Sequence, residues 1–534
     1  MIGDANQVPA NSRIEVDLCI VGAGAAGIAI AREFAGQKRS VCLLESGGQG
    51  YVPASQSLNE GDVGGVLRQP PQGTRMRGLG GTTAVWSGRS RPLDRSDFEA
   101  RDWVPESGWP FGREELDPYY ARAHEVCQLG PYEYDVGFWE NATDTSRLPI
   151  EAGRVENAVF QNSPPTHFGL VYKQDIEEAA NIRCYLNATV TGFDYDEAQN
   201  AVEAARVETL EGNTFKVAAR QFILALGGIE NARFLLLADR EHPGKLGNAH
   251  DLVGRYFMDH PEQNPAYVVP EDSTIDGTFV TRNLRCSQPE AVLIGFLRLT
   301  DEQKREEGLL NANVVLNRAK EPGAQKGDGL QSLRRLVESI KSGSMPENLG
   351  DHVSLIVRDY GLIADGIYRR VTGENRRVFA APPSRYLVNM AQETVPDPES
   401  RVTLVEARDA LGQNRCKVTW KLSELDRRTC RRTLEIVAEE MGRIGFSRMK
   451  IELDKEGPDW HASLKSGHHH MGTTRMNDDP KRGVVDAHGR VHGVSNLYVA
   501  GSSVFPTSGH ANPTLTIVAL SLRLSDHLKQ EVFS

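Results

Sequence analysis

Val16–Gly48 reads VDLCIVGAGAAGIAIAREFAGQKRSVCLLESGG. Val16–Val21 is a short apolar run of the kind that forms a buried parallel strand. Gly22–Gly27 is a glycine turn, Ile28–Ala35 continues with helical character, and Ser40–Glu45 is a second strand. The stretch therefore predicts a β-α-β unit. Gly22, Gly24 and Gly27 form G-x-G-x-x-G between the strand and the helix. The first glycine permits the tight turn, the second lets the backbone approach a pyrophosphate, and the third lets helix and strand pack closely. Ala25 and Ala26 lie at the helix N-terminus, where free N–H groups and the positive dipole end suit phosphates. Glu45 and Ser46 follow about 20 residues after the glycines, where an acid accepts hydrogen bonds from an adenosine ribose. The unit is built for a dinucleotide, and by itself it does not choose between FAD and NAD.

The far end of the chain carries a second cluster of turns and polar groups. SGHHHMGTTRM (Ser466–Met476), NLYVAGSSVFPTS (Asn496–Ser508) and GHANPTLTIVAL (Gly509–Leu520) place three histidines and an amide beside another glycine-serine turn. If both ends bind one cofactor, the middle folds back and is free to form a substrate domain. At 534 residues the chain is long enough for two or more domains. The net charge of −11 argues against a nucleic-acid partner, because phosphate contacts need a basic surface. Seven scattered cysteines without a CxxC read as reduced thiols and a cytoplasmic protein, not as a disulfide or zinc framework. No signal peptide and no run of 18 apolar residues is visible, so no membrane span is expected.

Between these ends, residues 1–12 read as a loose tail and residues 50–90 as loops. Trp109–Gln128 has helical spacing; Ile182–Phe193, Arg206–Val217, Gln221–Ala225, Arg385–Ala391 and Arg401–Val405 read as strands. Ile229–Leu237 reads as a helix after the turn Gly227–Gly228. Leu422–Ile444 is an amphipathic helix with Leu434, Val437 and Met441 on its apolar side. Residues 300–350 are polar and charged, and read as exposed helices and loops, a surface insertion or an arm.

Five motifs occur in order: the first glycine turn, LGGTTAVWSGR (Leu79–Arg89), FILALGGIENARFLL (Phe222–Leu236), VGRYFMDHP (Val253–Pro261) and the C-terminal block. Together they resemble the glucose-methanol-choline (GMC) oxidoreductases, FAD enzymes that oxidise alcohols. GHANPTLT and HHHMGTTRM look closer to the pyranose-oxidase and glycoside-oxidoreductase branch than to the choline or aryl-alcohol branches. The resemblance implies an α/β fold of two domains: a doubly wound FAD-binding domain, and a substrate domain of antiparallel sheet and helices. It implies FAD-binding segments over 13–100, 180–262 and 466–534, and substrate segments over 101–179 and 263–465. It further implies that Glu45 holds the adenosine ribose, Val190 packs at the adenine, and the Gly80, Gly81, Thr82 and Ser87 loop lies along the flavin ring. Gly227 closes the second glycine turn, Gly501 and Ser502 approach the pyrophosphate or ribityl chain, and Pro513 and Thr514 face the pyrimidine end. Fungal pyranose oxidases attach FAD through a histidine in the loop. Val85 stands at that position here, so non-covalent FAD is expected.

Oxidising an alcohol removes a hydride from carbon and a proton from oxygen. The flavin takes the hydride, and the protein must supply a base, for which histidine is suited. In the family the catalytic histidine stands three residues before the glycine of a Gly-Thr pair, which points to His469 before Gly472–Thr473. The second family position corresponds to Asn512, whose amide can orient the substrate oxygen. His510 is the fallback; His167 and His260 are pocket candidates by motif position; Gln392, in NMAQET, matches a sugar-binding glutamine of pyranose oxidases. Arg475 reads as a structural ion-pair partner. The three adjacent histidines lack the acids or cysteines of a metal site. If the segment is extended, His468 and His470 share one face and His469 the other. The expected activity is oxidation of a secondary hydroxyl of a sugar or glycoside, at C3 or C2 of a pyranose, with oxygen or another acceptor. Alternatives are oxidation of a primary alcohol on an aminoglycoside-like sugar and a flavin-containing lyase.

Overall fold

The computed structural model describes all residues except 152, 272–277, 282, 320–328, 342–344, 346–347, 373–382 and 454–459. An eight-stranded sheet has the order Ile2–Asp4, Ile182–Leu186, Val41–Leu44, Arg13–Val21, Thr214–Leu224, Ala201–Glu208, Thr189–Asp196, with Leu497–Val499 pairing beside Thr214–Leu224. Its first five strands and Leu497–Val499 are parallel. Their central residues Leu18–Ile20, Val41–Leu43 and Phe222–Leu224 are fully buried, as strands covered by helices on both faces must be. Ala25–Glu33, Gly227–Glu241 and Thr514–His527 are the principal helices of this layer.

Residues 1–12 do not form a loose tail. Ile2–Asp4 is an edge strand on Ile182–Leu186, fixed further by the N-terminal ammonium, which donates to the Ile176 and Ile182 carbonyls. Ile182–Phe193 is not one strand: the chain turns at Asn187, at φ 59°, and restarts as Thr189–Asp196. Asparagine tolerates that left-handed backbone better than most residues. Residues 50–90 are loops with short elements, including a strand Gly61–Gly65 that joins Arg401–Arg408 and Asn414–Trp420 in a three-stranded sheet.

A second sheet of nine strands has the order Ser447–Ile451, Pro261–Pro270, Tyr386–Gln392, Ala312–Arg318, Glu290–Leu299, Val155–Asn162, Arg89–Ser90, with Asn283–Ser287 pairing beside Glu290–Leu299 and Lys465–Ser466 beside Pro261–Pro270. Its pairs are antiparallel. One face packs on the helix Glu424–Arg443, through Cys430, Leu434, Val437 and Met441 against Val314, Val388 and Met390. Ser423 caps that helix and Asp426 returns a bond to the Ser423 N–H, a reciprocal capping box. The other face carries Ala158, Phe160, Ile294, Phe296 and Val315.

Residues 300–350 are only partly a surface insertion. Ala312–Arg318 is an inner strand of this sheet, because its apolar residues pair on both sides. After it the chain leaves the sheet for three helices, Gly329–Lys341, Leu349–Arg358 and Tyr360–Thr372, which pack on one another and expose Ile340, Val357 and Val371. Part of the expected arm, including 320–328, lies outside the described residues. No described helix is long and apolar enough to cross a membrane. All seven cysteines are buried and unpaired.

Candidate active site

The first glycine turn has the geometry its spacing predicts. Gly22 sits at φ +104°, and a Cβ there would come within 2.6 Å of the Ala225 carbonyl oxygen. A Cβ on Gly27 would lie 1.9 Å from the Gly22 oxygen, so any side chain would push the helix off the strand. Gly24 differs: a Cβ there would meet nothing within 4 Å. Its bare backbone faces open space at the start of the helix Ala25–Glu33, which has no side-chain cap. The leading N–H groups at Ala25, Ala26 and Gly27 therefore need an acceptor from outside the helix. Gly80 donates to the Ala23 carbonyl, and Gly81 packs so that its Cβ would lie 3.0 Å from Gly24 Cα. Gly227 and Gly501, at φ +83° and +105°, also face open space. Ser87 and Val85 are exposed on the same loop; Thr82 accepts from the Met76 N–H.

The Glu45 carboxylate is buried and accepts three backbone N–H groups, from Ala23, Gly47 and Gly78. Burial raises its pKa, against those bonds and the Arg77 charge. Oε2 holds only the Ala23 bond, which leaves it a lone pair for a hydroxyl. Ser46 bonds Thr189 at 2.9 Å, beside Val190 on the strand Thr189–Asp196.

The three adjacent histidines go to three different places. His468 takes φ +61°, so the segment is not uniformly extended. Its Nε2 lies 3.0 Å from Gln69 Oε1. The His470 ring lies against Phe257, and its carbonyl accepts from Ser502 Oγ at 2.7 Å. Between them, His469 Nε2 lies 2.9 Å from Asn512 Nδ2, and its Nδ1 lies 3.0 Å from His260 Nδ1. Asn512 comes just before Pro513 and the helix Thr514–His527. Gly472 donates to the Ser502 carbonyl, which ties the histidine segment to the Gly501 turn.

Asp259 holds this arrangement. Its Oδ1 accepts from the His260 and His469 N–H groups at 2.7 and 2.8 Å, and its other oxygen from Ser466 Oγ. Burial pushes its carboxyl up to about 7. The VGRYFMDHP motif marked the segment but not Asp259, whose partners Ser466 and His469 lie 207 and 210 residues away. The pairing of Lys465–Ser466 with Pro261–Pro270 and the bridge between Met258 and Met471 bring them together.

The contacts fix a consistent proton assignment. Asn512 donates to His469 Nε2, so His469 carries its proton on Nδ1 and donates to His260 Nδ1. Burial first, then the neighbouring His260, His470, His468 and Arg89, holds the His469 pKa well below its ordinary 6.5. Burial likewise lowers His260. The His469 ring is thus neutral at pH 7 with its lone pair on Nε2, the state a general base requires.

Two expected site residues do not join this cluster. Gln392 is fully buried on the helix-facing side of the second sheet, and its Nε2 donates to the Asp426 carbonyl at 2.8 Å. The strand's alternation decides this, because Val388 and Met390 share its face. His510 is buried in the roof over the site. Its Nδ1 lies 3.3 Å from Asn313 Nδ2, and its Nε2 lies 3.3 Å from Asp94 Oδ2. Burial lowers its pKa to about 4. Asp94 also meets Arg91 and Arg298; burial works against its charge, but Arg298, His510 and Arg91 hold its carboxyl well below the usual range. His167 only precedes the short helix Phe168–Val171, and Arg475 is buried with its Nη2 on the Glu106 carbonyl at 2.6 Å.

A parallel sheet with an uncapped glycine turn, crossed by a paired histidine and amide, defines a dinucleotide-dependent oxidoreductase. Residues 396–521 match the family model for GMC oxidoreductase. The chain is 24% identical to the fructose dehydrogenase large subunit of Gluconobacter japonicus, over 98% of this chain and 99% of that protein. It is 23% identical to paromamine 6'-oxidase of Streptomyces fradiae, over 95% and 90%. In fold it matches formate oxidase of Aspergillus oryzae at a TM-score of 0.55 and 18% identity, covering 98% of this chain and 99% of that one. The chain thus resembles the GMC oxidoreductases, and the family's own match lies over residues 396–521. FAD is the cofactor expected of it, and the glycine backbone open at Gly24 and Gly501 fits such a group.

Proposed function

We propose that the protein oxidises a secondary hydroxyl of a sugar or glycoside, at C3 or C2 of a pyranose, to a ketone. The observation that carries this reading is the 2.9 Å contact between His469 Nε2 and Asn512 Nδ2, beside the Ser502 turn. The name of the fructose dehydrogenase relative supports the sugar class.

Bound FAD would accept the hydride. The N–H groups opening the helix Ala25–Glu33 would hold its phosphates, Glu45 Oε2 its ribose hydroxyl, and Val190 its adenine side. Gly80, Gly81, Thr82, Ser87, Gly227, Gly501, Ser502, Pro513 and Thr514 would line the rest. Val85 offers no nucleophile, which supports non-covalent binding. A substrate hydroxyl that displaces the Asn512 bond to His469 donates to Nε2 and accepts from the freed amide. His469 takes the proton at Nε2. His260 keeps the ring's other proton on Nδ1, and Asp259 fixes the backbone of both residues. A positioned base of this kind is worth roughly 10²–10⁴ in rate.

The paromamine 6'-oxidase relative favours a second reading, oxidation of a primary alcohol on a cationic sugar. An anaerobic titration separates the two. The holoenzyme is mixed with glycosides, aminoglycosides and simple alcohols, and the visible flavin band is followed. Bleaching by glycosides is expected, and admitting oxygen then tells oxidase from dehydrogenase. A band that no sugar bleaches overturns the sugar reading.

A further inference from the structure

The roof of the site holds several arginines, and they are treated unequally. Arg91 donates to the Val159 carbonyl at 2.9 Å and meets Asp94; Arg298 meets Asp94 and Glu156. The Arg89 side chain makes no hydrogen bond and no ion pair among the described residues. It is only half-buried, on the short strand Arg89–Ser90 that pairs with Asn162 and Gln161 at the sheet edge.

Its position points to the reacting groups. The Arg89 guanidinium lies 5.5 Å from the centre of the Phe160 ring. Phe160 stacks on Phe296 at 4.4 Å and meets the His510 ring at 5.9 Å, two residues before Asn512. The Arg89 charge adds a small push to those of burial and the neighbouring histidines that keep the His469 ring unprotonated. Burial lowers the Arg89 pKa, and the carboxylate acting on it is Glu262, which is already paired with Lys465 at 3.2 Å. A guanidinium held in a partly dry site with no carboxylate in direct contact is costly unless a ligand completes it.

We propose that Arg89 is a specificity residue and that the preferred substrate is an acidic sugar, a uronoside or similar, whose carboxylate takes the Arg89 fork while its secondary hydroxyl lies between His469 and Asn512. This rests on the sugar-oxidation reading above and narrows it. The planar guanidinium matches a carboxylate in two parallel bonds, which an ammonium-bearing sugar cannot use. The same charge repels a cationic substrate, which separates this chain from an oxidase of aminosugars.

The test compares methyl glucuronide, methyl glucoside and methyl glucosaminide as substrates of the holoenzyme with an artificial acceptor. kcat/KM should fall in that order. In Arg89→Gln the ratio of glucuronide to glucoside should drop roughly 10–100-fold, the range of a charge-assisted bond. The loss should fall on KM, and Arg89→Lys should restore only the part that charge alone supplies, which a merely structural role would not produce. Calorimetric binding of glucuronate gives a readout without turnover, and its Kd should weaken by a similar factor in Arg89→Gln. If sugars turn over but the ratio ignores Arg89, this inference fails alone. If glucuronate binds through Arg89 while no sugar is oxidised, the oxidation reading fails and the anion site stands.

Discussion

The floor and the roof of the site are made from different materials. The floor, where the cofactor is expected, is backbone: Gly22, Gly24 and Gly27 in one turn, Gly81 against Gly24, and Gly501 across from them. The roof is side chains: Phe160, Phe296, Asn313 and His510 over a buried set of Asp94, Arg91 and Arg298. A floor of N–H groups recognises phosphate whatever the substrate. A roof of side chains can be changed one residue at a time, so specificity is expected to live there.

Substitutions can break this division of labour. The largest effect is expected where the two meet. His469→Ala should slow substrate-driven flavin reduction by roughly 10²–10⁴, with the cofactor still bound and the visible spectrum intact; unchanged rapid-mixing kinetics would remove His469 from the role. In the roof, Asp94→Ala leaves Arg91 and Arg298 buried without their carboxylate. It should cost about 3–5 kcal/mol in chemical denaturation, the penalty for breaking a buried ion pair. In the floor, Gly24→Val places a side chain in the open space over the helix start. It should weaken FAD retention by roughly 10–100-fold, as overpacking costs about 1–3 kcal/mol, while circular dichroism stays native. A yellow Gly24→Val protein would show that the floor is not where the phosphates lie.

The pH profile sharpens the same comparison. The His469 pKa is held below its ordinary 6.5, so the ring stays neutral and able to accept a proton in mildly acidic solution. The rate of flavin reduction should hold its plateau from pH 7 down past 6.5 and fall only at lower pH; an acid limb centred above 6.5 would contradict the burial of the ring. The smallest effect is expected away from both surfaces. Ile340 is 76% exposed on the appended helix Gly329–Lys341, and Ile340→Ser should change stability by no more than about 0.5 kcal/mol and leave turnover alone.

The sequence by itself determined what depends on local backbone. The glycine spacing at Gly22–Gly27 fixed the turn and the β-α-β unit, because only residues without a Cβ fit beside the Ala225 and Gly22 oxygens. The capped amphipathic helix near Leu422–Ile444 was legible from its period and found as Glu424–Arg443. His469 and Asn512 were found by motif resemblance, and the fold brings them to 2.9 Å. What only the tertiary structure decided is which distant side chains meet. The backing of His469 by His260 and Asp259 depends on pairing between Pro261–Pro270 and Lys465–Ser466. Gln392 failed as a site residue because a strand's two faces differ by one residue in register, and the sequence does not say which face the helix covers. Asp94, His510 and Arg298 meet from three remote segments, while the Arg89 side chain lies over Phe160 without an ion pair among the described residues. Such charges look alike in a sequence; their surroundings, set by burial and by the partners folding supplies, make one a structural anchor and leave another open to a ligand.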